Sequence, residues 1–260
     1  MIPKIIHFCW LSEEPYPELV SKCLDSWKRV LPDYEIKVWN TENFDVNSLT
    51  YTKEAFSVKK YAFVSDYIRL YALYNEGGIY LDSDIEVLKS LNDLLDRKAF
   101  TGFEKVHNCT VAAWIFGTER KNPIFKEFLD YYNDRHFILP DGSYDMTPNP
   151  VFITEICKKK GLVTDNSLQK IEGLTVFPSD YFCPYNPTTD ELNITDNTYC
   201  IHYFNGAWLS DEQKALKKKK LEIIRKYGRT AGRIYYGIKV MTSFGIKQFL
   251  TELWKFISHK

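Results

Sequence analysis

Two aspartates separated by one residue are the strongest candidates for chemistry in this sequence. Asp82 and Asp84 follow Ile79-Tyr-Leu81, a short apolar stretch typical of a buried strand. In an extended chain, residues two apart project to the same side, so the two carboxylates can share one cation directly or through water. The sequence therefore predicts a cation site at the carboxyl end of a strand, the edge where open α/β sheets place their ligands.

A bare Asp-x-Asp pattern is weak, because a solvated turn produces it too. Three neighbouring features favour a site here: the Gly77-Gly78 pair, the apolar strand and a polar helix face just upstream. That face holds Ser65, Asp66 and Arg69, and the spacing of three places Asp66 beside Arg69. Either the pair is an ordinary salt bridge, or the two residues bind the hydroxyl and phosphate groups of a ligand. Residue types alone leave both interpretations open.

The surrounding elements predict an α/β fold. The segments 2–10 and 35–39 read as parallel strands joined by a helix over 17–30, the usual opening of a nucleotide-binding domain. A helix over 55–74 is expected to end at Asn75-Glu-Gly-Gly78, because glycine readily takes the left-handed conformation. Further strands are expected at 99–103, 110–116, 174–177 and 198–203, and helices at 123–134 and 150–160.

Length and composition add broad constraints. A chain of 260 residues with formal net charge +0 fits one large domain, or a domain with a small appendage. Its six cysteines show no C-x-x-C spacing, which disfavours a zinc knuckle or a redox pair. The amino terminus lacks the build of a signal peptide, and Lys and Arg interrupt every apolar stretch before about 18 residues. We therefore expect a cytoplasmic protein.

Four sequence blocks carry a family resemblance. They are Ile2-Pro-Lys-Ile-Ile-His7-Phe-Cys-Trp10, Ala62-Phe-Val-Ser65-Asp66-Tyr-Ile-Arg69-Leu-Tyr, Gly77-Gly78-Ile-Tyr80-Leu-Asp82-Ser-Asp84 and His202-Tyr-Phe-Asn-Gly-Ala-Trp208. In this order they resemble the bacterial capsular and fungal mannosyl glycosyltransferases of family 32, whose sugar-binding region contains the Asp-x-Asp motif. The resemblance extends more distantly to the catalytic domain of the clostridial glucosylating toxins, and it covers most of the chain.

The resemblance implies both a fold and an activity. The fold would be the A-type glycosyltransferase fold, a Rossmann-like mixed sheet flanked by helices. The cofactor would be Mn²⁺ or Mg²⁺, and the donor a nucleoside-diphosphate sugar, with UDP favoured. Transfer would retain the anomeric configuration and extend a saccharide or lipid-linked saccharide acceptor, in capsular or other surface polysaccharide synthesis. The sequence assigns no nucleophile.

Carried over to this chain, the resemblance assigns the metal to Asp82, Asp84 and His202, with Asp84 as the firmer ligand of the aspartate pair. Asn205 is the alternative to His202. Relatives often have Ser where this chain has Gly206, which removes one side-chain ligand and makes His202 the preferred residue. The other reading of His202 is a core histidine that donates to a carbonyl. We also expect Asp84 to be an exposed acid that contributes little to the core.

The remaining roles follow from the same resemblance. Catalysis would depend on Asp66, Arg69, Asp82 and Asp84. The nucleotide base would stack on Trp10, and the indole N–H of Trp208 would reach the diphosphate. The complete expected set of donor-binding residues is Trp10, Ser65, Asp66, Arg69, Tyr80, Asp82, Asn205 and Trp208.

Residues 214–260 are predicted to be a basic amphipathic helical tail beyond a catalytic domain over 1–213. Lys217-Lys-Lys-Lys220 and later arginines alternate with apolar residues at helical spacing. Such helices bind anionic lipid, with each surface cation contributing about 1 kcal/mol, so we expect the tail to lie on the inner face of the cell membrane. The alternative is a helix pair packed on the catalytic domain. Nucleic acid is not expected as a partner.

Two other functions stay open. Phosphatases of the haloacid-dehalogenase kind also place Asp-x-Asp at the end of a buried strand, although that family wants Thr or Val where this chain has Glu86. A non-catalytic carbohydrate- or nucleotide-binding module would use the aromatic residues for stacking and the metal for structure. Release of UDP, release of phosphate and binding without turnover distinguish the three.

Overall fold

A mixed β-sheet forms the centre of the protein. The structure is a computed structural model that describes residues 1–104, 110–111, 114–206, 211–232, 234–240 and 242. The strands are β1 (Ile5–Cys9), β2 (Glu35–Trp39), β3 (Gly78–Leu81), β4 (Ile85–Val87), β5 (Ala99–Glu104), β6 (Thr110–Val111), β7 (Ile115–Thr118), β8 (Gln169–Ile171), β9 (Leu174–Phe177), β10 (Tyr185–Asn186), β11 (Glu191–Leu192) and β12 (Cys200–His202). The helices are α1 (Glu18–Val30), α2 (Thr50–Ser57), α3 (Tyr61–Glu76), α4 (Pro123–Asp130), α5 (Asn149–Lys159) and α6 (Asp211–Tyr227).

The acidic pair follows β3, a central strand of the large sheet. The large sheet runs β2-β1-β3-β7-β5-β9-β8, with β6 on β5. β1 is parallel to both β2 and β3, whereas β7 is antiparallel to β3 and β5. All four residues of β3 are buried, as expected for a strand with both faces covered. The predicted α/β class with a mixed sheet is confirmed.

Helix α1 fixes the strand that follows the acidic pair. Its buried residues recur at helical spacing and include Val20, Cys23 and Trp27. The indole N–H of Trp27 donates to the carbonyl of Ile85 at 2.7 Å, and the Ser26 hydroxyl accepts from the Val87 N–H at 3.0 Å. Because β4 lies outside the large sheet, these two bonds from α1 supply partners that a neighbouring sheet strand would otherwise provide.

The single helix predicted over 55–74 is wrong in one respect. The structure divides this region into α2 and α3. Lys59 stands between them with φ 57°, and its N–H and that of Lys60 donate to the carbonyls of Phe56 and Ala55. A left-handed residue closes a helix in this way, usually as glycine. Since the closing residue here is a lysine, the sequence carries no signal for the break.

The Gly77-Gly78 turn at the end of α3 has a steric cause. Both residues have positive φ, 71° and 97°. A Cβ atom on Gly77 would lie 2.8 Å from the backbone nitrogen of Arg120, and one on Gly78 would lie 2.7 Å from the carbonyl oxygen of Ile5. Only glycine therefore allows the chain to turn this closely into β3.

The chain forms two compact units. One comprises residues 1–184 and 193–203, and the other comprises 185–192 and 204–260. The second unit contains α6 and the β10–β11 pair, where Arg225 and Arg229 form ion pairs with Asp190 and Glu191. Among the described residues, no helix has the length and apolar character needed to cross a membrane. The functional boundary predicted at residue 213 stays a prediction.

His7 links β1 to its neighbours from within the core. Its side chain is buried, with Nε2 2.8 Å from the Gly77 carbonyl oxygen and Nδ1 3.1 Å from the Trp39 indole nitrogen. Since an indole N–H can only donate, Nδ1 is the acceptor and Nε2 carries the proton. His7 is therefore neutral in the folded protein.

We expect His7 to make stability pH-dependent. Burial lowers the pKa of His7 below its ordinary value of 6.5. As pH falls below this ordinary value, the unfolded chain binds a proton at His7 before the folded protein does. The free energy of unfolding therefore decreases as pH falls through the ordinary pKa of histidine. His7→Gln should reduce the fall in the free energy of unfolding between about pH 7 and 5, measured by urea denaturation. Identical pH dependence in variant and wild type would contradict this assignment.

Candidate metal and donor site

Three potential ligands meet at the end of β3. The carboxylate oxygens of Asp82 and Asp84 and a ring nitrogen of His202 all lie within 4.8 Å of one another. A tight turn places the two aspartates: the Asp82 N–H donates to the Trp114 carbonyl at 2.9 Å, and the Ile85 N–H donates back to the Asp82 carbonyl at 3.1 Å. The structure thus brings together the three residues predicted to hold the metal.

His202 reaches this cluster through a separate small sheet. β12 pairs antiparallel with β4, so that His202 lies opposite Ile85. The Tyr203 N–H donates to the Asp84 carbonyl at 3.2 Å, which continues the pairing toward the acidic pair. His202 Nε2 is 3.4 Å from Asp84 Oδ1. His202 Nε2 thus faces a carboxylate, and its role as a metal ligand stays a prediction.

The donor set fits a divalent ion. Two carboxylates and one imidazole are ligands that Mn²⁺ and similar ions accept. Asp84 and His202 are 8% and 7% exposed, while the side chain of Asp82 is 26% exposed, which leaves an open side for a ligand. The expectation that Asp84 would be exposed is wrong, because the turn is covered by β12.

Arg69 connects the helix face to the cluster. One terminal guanidinium nitrogen is 3.0 Å from Asp82 Oδ1, and the other is 3.3 Å from Asp66 Oδ1. The guanidinium lies over the ring of Tyr80, 4.8 Å from its centroid. The Asp66–Arg69 salt bridge considered from the sequence is present, and it forms part of a network that includes a candidate metal ligand.

Burial shifts the pKa values of the acidic residues in this site upward. Burial raises the pKa of Asp66 to about 6, against the opposing effect of Arg69. Burial also raises the pKa of Asp82, and the charge of Asp84 adds to this increase. For His202, burial lowers the pKa, but the charge and hydrogen bond of Asp84 together with the charges of Asp82 and Glu104 raise it by more, so the net shift is upward. Additional positive charge at this site would stabilise the ionised carboxylates.

The first residue of helix α5, Asn149, contacts Asp66. The backbone N–H of Asn149, the first residue of α5, lies 3.3 Å from Asp66 Oδ2, and its side-chain amide donates to the Asp66 carbonyl at 2.8 Å. The Tyr132 hydroxyl donates to the Asn149 side-chain oxygen at 2.8 Å. Sequence reasoning missed Asn149, for which the flanking Pro148 and Pro150 give only a helix-start signal.

The other predicted donor residues stand in several places. Tyr80 lies beneath Arg69, and the Ser65 hydroxyl donates to the Ala62 carbonyl in its own helix at 2.7 Å. Trp10 donates its indole N–H to the Glu14 carbonyl at 3.0 Å and has no ring contact with the acidic cluster among the described contacts. Asn205 belongs to the second unit, and Trp208 lies outside the described residues. Their roles stay predictions.

Comparison with known proteins finds a family resemblance over part of the chain. Residues 17–101 match the family model described as a glycosyltransferase sugar-binding region containing the DXD motif. The matched region contains Asp66, Arg69, Asp82 and Asp84 and covers less than half of the chain. The resemblance inferred from the four sequence blocks is confirmed, and the expected mixed sheet with flanking helices is present.

Two relatives show how far the similarity extends. The chain is 29% identical over 168 residues to a mannosyl phosphorylinositol ceramide synthase of Saccharomyces cerevisiae, covering 61% of this chain but only 42% of the yeast protein. It is 26% identical over 226 residues to an uncharacterized glycosyltransferase of Acanthamoeba polyphaga mimivirus, covering 80% of this chain and 84% of the viral protein.

Solved structures with some similarity include two glycosyltransferases. The PaToxG glycosyltransferase is 17% identical, with a TM-score of 0.45 over 62% of this chain and 70% of its own. The galactosyltransferase LgtC in complex with donor and acceptor sugar analogues is 15% identical, with a TM-score of 0.47 over 90% of this chain and 95% of its own.

Replacing Asn149 should destabilise the protein. In Asn149→Ala the buried Tyr132 hydroxyl and Asp66 carbonyl lose their partner, which costs about 1–3 kcal/mol in the free energy of unfolding. Asn133, whose exposed amide donates to Asp130, provides the matched control. Asn133→Ala should change stability by no more than about 0.5 kcal/mol. Equal effects of the two substitutions in urea denaturation would show that the buried amide is not an anchor.

Proposed function

We propose that this protein is a glycosyltransferase that transfers a sugar from a nucleoside-diphosphate sugar with the help of a divalent cation held by Asp82, Asp84 and His202. The observation that carries the proposal is the meeting of these three side chains at the end of β3, where one ligand atom from each lies within 4.8 Å of the others. The match of residues 17–101 to the DXD glycosyltransferase model supports it. Mn²⁺ or Mg²⁺ is the proposed cofactor.

The chemistry requires positive charge at one position. Departure of the sugar builds negative charge on the diphosphate, and a bound cation supplies electrostatic stabilisation there. Arg69 adds a fixed positive charge next to the cluster, since Asp82 and Asp66 hold its guanidinium from two sides. A preorganised charge needs no rearrangement as the bond breaks, which is why a buried ion-pair network suits this step.

Asp66 is proposed to contact the hydroxyl groups of the donor sugar. Arg69 approaches one carboxylate oxygen, and the Asn149 N–H approaches the other. Each oxygen can accept a further hydrogen bond, because an ionised carboxylate offers about four lone-pair positions. The two protein contacts thereby fix the carboxylate while leaving acceptor capacity for a ligand.

The finer assignments are also proposals. We propose a UDP-linked donor, retention of configuration and a saccharide or lipid-linked saccharide acceptor in capsular or other surface polysaccharide synthesis. The yeast relative is named for mannosyl transfer, so mannose donors belong beside UDP-sugars in any test. Because the chain spans less than half of that relative, its acceptor is not carried over.

The second unit is proposed to bind an anionic membrane surface on the cytoplasmic side. In α6, Lys218 and Lys219 are exposed. In the helical segment that follows, Ile234 and Ile238 are 59% and 53% exposed and share one face through their spacing of four. Exposed cations combined with an exposed apolar face are the features by which interfacial helices bind lipid.

Removing Asp84 should abolish turnover. Asp84→Asn keeps the shape of the side chain but removes a charged ligand, so manganese-dependent UDP or GDP release from a panel of nucleotide sugars should fall at least about a hundredfold. Asp134→Asn, an exposed substitution at a position with φ 58° that asparagine tolerates, is the control. Full activity of Asp84→Asn at saturating donor would overturn the metal assignment. Phosphate release would favour a phosphatase instead, and binding without turnover a binding module.

Membrane binding should depend on both charge and the apolar face. The protein should co-sediment with phosphatidylserine vesicles at low salt and be released by added salt, because screening weakens surface charge attraction. Ile234→Glu combined with Ile238→Glu should reduce the bound fraction. Val163→Glu with Leu168→Glu, a pair equally exposed in the first unit, should leave it unchanged. Absence of binding by the wild type would remove this part of the proposal.

A further inference from the structure

Trp114 touches both halves of the candidate metal site. Its backbone carbonyl accepts the Asp82 N–H at 2.9 Å, at the turn that follows β3. Its ring lies against the imidazole of His202, with the ring centroids 4.9 Å apart and the planes inclined by 31°. The aspartates lie in the turn between β3 and β4 and the histidine lies in β12, so Trp114 contacts two segments that are far apart in the chain.

The backbone of Trp114 is firmly placed. The residue directly precedes β7, whose first residue, Ile115, pairs with Leu81 in β3. The Thr101 hydroxyl of β5 donates to the Ile115 carbonyl at 2.7 Å. The Trp114 ring therefore projects from a position fixed by strands on both sides, and a ring held in this way can restrict the orientation of a neighbouring side chain.

The ring face of Trp114 is its described side-chain contact with the site. Trp114 is 3% exposed, and among the described residues no hydrogen-bond partner is found for its indole N–H. A buried unpaired donor costs about 1–3 kcal/mol, and phenylalanine would avoid this cost while keeping a flat ring. The contact that connects the Trp114 side chain to His202 is therefore the packing of the two rings.

We propose that Trp114 is a positioning residue whose ring face holds the His202 imidazole so that Nε2 faces the carboxylates of Asp82 and Asp84. The inference rests on the proposed function, because it assumes that these three residues bind a cation. It adds a residue that neither the Asp-x-Asp pattern nor the four sequence blocks contain. Residues that orient a metal-bound histidine typically change metal affinity ten- to a hundredfold when replaced.

Strand pairing does not by itself set the orientation of the His202 imidazole. Pairing of β12 with β4 fixes the backbone of His202, but rotation about its side-chain bonds still allows several ring orientations. Contact with a flat ring limits these orientations, because an imidazole packs closely against it in few ways. A branched aliphatic side chain in place of Trp114 has no flat face against which the imidazole could pack.

The test compares manganese affinity, followed by electron paramagnetic resonance titration of free Mn²⁺, in a set of full-length variants. Trp114→Phe should bind Mn²⁺ like the wild type, whereas Trp114→Leu should bind it about ten- to a hundredfold more weakly. Trp114→Met replaces the leucine variant should that one fail to fold. Phe128→Leu, a change at a fully buried aromatic residue of α4, controls for general loss of packing and should leave the affinity unchanged.

A double variant shows whether the effect passes through His202. In a His202→Ala background, Trp114→Leu should cause no further loss of Mn²⁺ affinity, because the side chain that it positions is gone. Equal affinity of Trp114→Leu and wild type, equal loss in Trp114→Phe and Trp114→Leu, or an undiminished loss in the His202→Ala background would each overturn the inference. If the wild type itself binds no Mn²⁺, the proposed function fails as well.

Discussion

The site depends on the cost of collecting ionised carboxylates in a place that water barely reaches. Asp66 and Asp84 are largely buried, and Asp82 keeps only part of its surface in contact with solvent. Such groups persist only when paired or hydrogen-bonded. Arg69 lies between two of them, and His202 faces the third. The three carboxylates carry more negative charge than Arg69 and His202 offset, and a divalent cation would balance this excess.

The surrounding fold offsets the free-energy cost of burying these carboxylates, because it holds their positive and polar partners in place. α1 holds β4 through the Trp27 indole and the Ser26 hydroxyl, and β4 in turn receives β12 with its histidine. On the other side, Asn149 at the start of α5 binds the carboxylate and carbonyl of Asp66. Each charged group therefore has a support that does not belong to its own strand or helix.

The sequence predicted the parts of this arrangement that depend on local pattern. Alternation and apolar runs located most strands of the large sheet, and the Gly77-Gly78 pair marked the turn into β3. It could not reveal the break at Lys59, because a left-handed lysine has no compositional signature. Asn149 and Trp114 were missed for a related reason. Each acts through a contact with a residue distant in the chain, and neither residue type is distinctive for that role.

Formation of the site is inseparable from the docking of β12 on β4. The two aspartates belong to one turn, whereas His202 comes from a strand much later in the chain, and only three residue pairs join the two strands. A cation bound by all three side chains binds only the docked state, so its binding free energy adds to the stability of the pairing. Conversely, anything that strengthens the pairing preorganises the ligands and reduces the entropy lost on binding. The small sheet, whose strands are almost wholly buried, is therefore the element through which ligand binding and folding would be coupled.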